Sequence, residues 1–143
     1  MKGFDTVSAI TDNLQAVLQA QGIKFARKAC EDEKDIPAGK LPLGQIFYTG
    51  ESFEYAHGQR PGYAEAEFTV KVILRERDPV DSVREAQRWV HKIKDAFTVD
   101  GLNAGGLADL RPVSRVDAKS VEAVNKDGVS KLVCKVSVRY RES

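Results

Sequence analysis

Cysteine is scarce in this chain. Cys30 and Cys134 stand far apart with no CxxC or Cys/His spacing, which excludes a disulfide scaffold and a cysteine-built zinc site. Both read as reduced, buried thiols that pack as small hydrophobes. Long apolar runs are lacking too: nothing approaches the roughly 18 residues that a membrane span requires. The opening MKGFDTVSAITDNL has no continuous apolar stretch of a secretory signal, so the expected compartment is the cytoplasm. Neither sign of charge dominates, with 22 Lys+Arg against 21 Asp+Glu and a net charge of +1. That balance disfavours binding that rests on a broad basic field, to naked nucleic acid or an anionic membrane. Internal repeats, low-complexity tracts and dividing linkers are also missing. What is there is ordinary for a globular protein, 42% hydrophobic and 30% charged residues over 143 positions, and that length favours one domain.

Val7, Ile10, Leu14, Val17 and Leu18 recur at three- and four-residue steps, with Asp12, Asn13, Gln15 and Gln19 between them, so the chain opens on an amphipathic helix. Gly22 ends it, since glycine takes the left-handed conformation that closes a helix. A short strand is expected from Ile23 to Cys30, with Ile23, Phe25 and Ala29 on one face and Lys24 and Lys28 on the other. Glu31 to Gly44 couples an acidic cluster with Pro37, Gly39, Pro42 and Gly44 and predicts a long loop. Gln45 to Tyr55 is aromatic and β-branched, residues 57–62 supply turn chemistry, and Tyr63 to Arg75 alternates, which together predict a long β-hairpin. Its second strand points Ala64, Ala66, Phe68, Val70, Val72 and Leu74 one way, and Glu65, Glu67, Thr69, Lys71 and Arg75 the other.

Asp78-Pro79-Val80-Asp81 starts a second helix, with Asp as N-cap and Pro at the first helical position. Val83, Ala86, Val90, Ile93 and Phe97 form its predicted apolar stripe, with Trp89 at the flank. Asp100 to Gly106 reads as a loop, Leu107 to Val124 as one or two irregular strands broken near Arg111 and Pro112, and Asn125 to Gly128 as a turn. Val129 to Arg141 is the last strand, with Leu132, Cys134, Val136, Val138 and Tyr140 on its apolar face. This order predicts a single α+β domain, a mainly antiparallel sheet with a long β-hairpin and two helices packed on one face.

No catalytic, cofactor-binding or metal-ligating residues are assigned. His57 falls in a turn and His91 on the second helix, without an HExxH, an HxH or a nearby Cys. The glycines between Gly101 and Gly106 lack the GxxxxGK[ST] pattern and follow a helix instead of a strand. Glu31/Asp32 and Glu65/Glu67 are carboxylate pairs of the kind that shift each other's pKa. For Glu65 and Glu67 the favoured reading is a surface ladder with a cross-strand Lys131, Lys135 or Arg139. Arg84, Arg88 and Lys92 step by four along one helix face, which serves equally as a solvated surface or a protein interface.

The opening helix from Val7 to Gln21, the short strand at Ile23, the hairpin from Ile46 to Leu74, the Asp-Pro-capped helix and the closing strand ending Lys135 to Arg141 resemble a phage tail terminator. The resemblance spans nearly the whole chain and lies in element order, length and texture. It implies a non-enzymatic virion protein without cofactors, made in the host cytoplasm and placed at the head-proximal end of the tail. There a ring, expected to be a hexamer, stops tail-tube polymerisation and offers the head connector its docking surface. Its partners would be other copies, the tail tube protein and the connector, with DNA only passing through the lumen. The candidate contacts are the acidic loop (Glu31, Asp32, Glu33, Asp35), the hairpin tip (Gln59, Arg60) and the row Arg84, Arg88, Lys92. A head-tail connector or neck protein is the alternative within that class, and a small ligand-binding or enzymatic domain the alternative outside it.

Overall fold

Helix α1, Gly3–Ala20, buries Ile10, Leu14 and Leu18 of the predicted stripe, while Val7 and Val17 pack half-buried at its edges and Thr6 joins the buried side from outside it. It closes at Gly22, whose φ of +94° is open to glycine and costly for other residues. Gly22 N–H donates to the Gln19 carbonyl at 3.0 Å and Ile23 N–H to the Leu18 carbonyl at 3.2 Å, a Schellman closure with Leu18 and Ile23 both buried. The computed structural model describes residues 3–25, 41–56, 60–75, 79–126 and 129–142. The strand expected from Ile23 is therefore seen only as β1, Lys24–Phe25, which pairs in parallel with Leu43 and Gly44. Cys30 and most of the expected loop lie outside the described residues.

That loop ends earlier than its glycine and proline content predicts, because β2 spans Leu43–Ala56. Leu43 is buried against Ile73, and pairing on both sides overrides the weak strand propensity of Gly44. β3, Arg60–Arg75, completes the hairpin antiparallel to β2, and its six predicted core residues from Ala64 to Leu74 are all buried. Helix α2, Pro79–Ala96, follows; the proposed N-cap Asp78 lies outside the described residues. Ala86, Trp89, Val90, Ile93 and Phe97 pack on the core, but Val83 is 56% exposed and does not belong to the stripe. It sits at the stripe's margin in the first turns, and Ala86 is the first of the stripe to reach the core.

The segment after Phe97 is more ordered than a glycine-rich loop. One helical turn, α3 (Val99–Leu102), is capped by Thr98, whose hydroxyl accepts from Gly101 N–H at 3.0 Å. A 3₁₀ turn, Gly105–Leu107, follows, with Leu102 and Leu107 fully buried. The strand predicted from Leu107 thus begins only at Val113. Buried Asn103 sets that start: its amide donates to the Val113 carbonyl and accepts from Val113 N–H, both at 2.9 Å. Asn13 of α1 donates to the carbonyls of Leu102 and Ala104, tying this connection to the first helix. β4 (Val113–Lys126) and β5 (Val129–Arg141) form the second hairpin; Asn125 and Lys126 are paired strand residues where a turn was expected.

The strand order is β1-β2-β3-β5-β4, antiparallel throughout except for β1 with β2. α1 and α2 cover one face, where Ile10, Leu14, Leu18, Ile93 and Phe97 meet the inward residues of β3 and β5. This is the expected α+β architecture. α1 lies toward β1 and β2, and α2 toward β4 and β5. Among the described residues no helix is long and apolar enough to cross a membrane.

Candidate functional site

A bulge in β2 builds the site. The register shifts between Tyr48, opposite Phe68, and Gly50, opposite Glu67, and Gly50 carries a φ of +134°. Strict alternation would send Tyr48 and Glu51 to opposite faces. With one extra residue between them, Tyr48, Glu51 and Phe53 all lie on the helix-covered face, opposite Phe68, Ala66 and Ala64. Ala64 and Ala66 are small and buried, so Tyr140 on β5 reaches across β3 to Glu51. Tyr140 Oη donates to Glu51 Oε2 at 2.6 Å and Tyr48 Oη donates to Oε1 at 2.8 Å. The N-terminal half of α1 supplies the other wall with Phe4, Val7, Ser8 and Asp12, enclosing a cleft of about 470 Å³.

Glu142, just past β5, shares this cleft with Glu51 and Asp12, and no basic residue lines it among those described. Partial burial, then the Glu51 charge, hold the Glu142 carboxyl above its ordinary range. Desolvation first, and then the bond and charge of Glu51, push Tyr48 up to about 12 and raise Tyr140 as well. Phe4 is 80% exposed, Tyr48 54% and Phe53 48%, so the mouth is an aromatic rim around an anionic floor. Such a lining suits a cation with a flat or apolar body. Among the described residues no group of three His, Cys, Asp or Glu is arranged to hold a metal ion.

The contact residues expected from the sequence fall elsewhere. Glu31, Asp32, Glu33, Asp35 and Gln59 lie outside the described residues, and Arg60 is described by its backbone, paired with Ala56 at the start of β3. Arg84, Arg88 and Lys92 are brought together on the exposed side of α2. Arg88 pairs with Glu85, and Lys92 Nζ lies 4.6 Å from the centre of the Trp89 ring. The sheet face turned away from α1 and α2 carries a polar lattice beside the small buried cluster of Leu43, Ile73 and Val129. Glu65 accepts from the Ser137 hydroxyl and lies 3.7 Å from Arg115, while Glu67 lies 3.9 Å from Lys119. Arg115 and Lys119, the basic residues beside Glu65 and Glu67, thus come from β4, and Arg139 turns instead to Glu54 at 2.7 Å and stacks on Tyr63. The cleft itself escapes an alternation count, although an isolated glycine inside a strand, Gly50, is the signal of a bulge. No protein-family model and no curated protein matches the chain.

Proposed function

We propose that the protein is a structural subunit that assembles with copies of itself, in the role of a phage tail terminator. In this reading a ring of copies, six by the family resemblance, ends tail-tube growth and joins the tail to the head connector. The observation that carries the assembly is aromatic exposure. Phe4, Phe47, Tyr48, Phe53 and Tyr63 are each 39–80% exposed, five of the nine Phe and Tyr residues whose side chains are described. Three of them gather at one cleft, as surface destined for a partner does. A heterologous ring also needs two unlike surfaces on each subunit. The aromatic, acidic cleft and the basic side of α2 meet that need. The resemblance to a tail terminator in element order, length and texture supplies the rest of the reading.

The test is mass in solution by light scattering over a concentration series, followed by negative-stain imaging. The expected result is a closed ring near six times 15.8 kDa that also caps isolated tail tubes and arrests their elongation. A monomer at every concentration that leaves tube elongation unchanged overturns the reading.

A further inference from the structure

Within this ring reading, on which the inference rests, we infer that the cleft between α1 and β2 receives Arg84 and Arg88 of α2 from a second copy of this chain. The chemistry is complementary. Glu51, Glu142 and Asp12 put three carboxylates in a cleft whose described lining holds no cation, and Phe4, Tyr48 and Phe53 rim it. A guanidinium is the cation that both pairs with carboxylates in a planar fork and stacks on aromatic faces. Two guanidinium groups stand one helical turn apart on α2. Arg88 is 61% exposed, and its partner Glu85 is an exposed i,i+3 contact of little strength that exchanges readily. Val83, beside Arg84, is an exposed apolar residue that such a contact would cover.

The placement is complementary as well. Asn13 and Val17 of α1 turn toward α3, while Phe4, Ser8 and Asp12 face the cleft on another side of the same helix. The cleft therefore opens on the β2 flank, and α2 lies toward β4 and β5 on the opposite flank. Two copies joined cleft to α2 leave one free cleft and one free α2, so the contact repeats head to tail and closes as a ring when the rotation per copy allows. Burial, and then the Glu51 charge, hold the Glu142 carboxyl above its ordinary range, and the second of these causes is what an incoming arginine relieves.

The test uses the full chain and two complementary variants, Glu142→Lys in the cleft and Arg84→Ala/Arg88→Ala on α2, followed by sedimentation velocity. Each variant alone is expected to self-associate at least about tenfold more weakly than the wild type, the scale of a lost interfacial charge pair. An equimolar mixture is expected to form 1:1 heterodimers and nothing larger, because each copy keeps one intact surface. Phe4→Ala, which removes a side chain that is 80% exposed, is a cleft variant that spares the fold, and it is expected to weaken assembly in the same direction. If the wild type forms rings and the variants form them equally well, or the mixture gives no heterodimer, the contact is overturned and the ring stands. If the wild type is monomeric at every concentration and free arginine binds in a way that Glu142→Lys abolishes, the cleft is a small-ligand site. The contact and the ring then fall together.

Discussion

Asn103 shows how much one side chain organises here. It fills both hydrogen-bonding groups of Val113 from a buried position, and thereby decides where β4 begins. Asn103→Ala leaves a buried N–H and a buried carbonyl unpaired, so a loss of about 2 kcal/mol is expected in urea unfolding. The tyrosines at Glu51 predict a different signature. Tyr48 titrates near 12 when folded, with Tyr140 also raised, against about 10 for an unfolded tyrosine. A folded pKa above the unfolded one means that the stabilisation is complete below about pH 10 and is lost as pH climbs through about 12. Absorbance at alkaline pH is expected to show a late tyrosine titration that Tyr48→Phe and Tyr140→Phe each reduce. None of these roles has a local signature, since Asn103 reads as a loop residue and Tyr140 as one more strand aromatic.

Strands and helices were more legible than their ends. The periodicity of α1 and the alternation of β3 and β5 are visible in order, because each is set by a single face against the core. Val83 fits a seam on paper and is exposed, since a stripe count cannot tell where a helix first meets its sheet. The glycines near 101–106 suggested a loop, yet buried Leu102 and Leu107 draw that stretch into two helical turns. Ala64 and Ala66 appear as routine core alternation, and their small size is what opens the trough that Tyr140 crosses. Ala66→Leu is expected to overpack this trough, cost about 1–3 kcal/mol and push Tyr140 off Glu51. Thermal unfolding checks the first effect, and a Tyr140 titration shifted back toward its ordinary value checks the second.

Taken as one body, the chain combines a nearly neutral total charge with sharply unequal surfaces. One face of the sheet holds an ion-pair lattice, the acidic cleft opens on the β2 flank, and α2 presents a basic row. Net charge alone hides this segregation. Assembly through such surfaces is expected to weaken as salt rises, because screening shortens the reach of exposed charges to about 8 Å at physiological ionic strength. Sedimentation at low and high salt measures this directly. An apolar contact would hold or strengthen under kosmotropic salts instead.

From the order of residues alone follow the α+β class, both long helices, both hairpins, the basic side of α2 and the buried Cys134, for each depends on a period of 3.6 or 2 within one segment. The cleft does not. Phe4, Glu51, Tyr140 and Glu142 come from the two ends and the middle of the chain. They meet because a bulge at Gly50 shifts the register and because β5 is added beside β3. Register and strand order are set by long-range pairing, which no local pattern encodes.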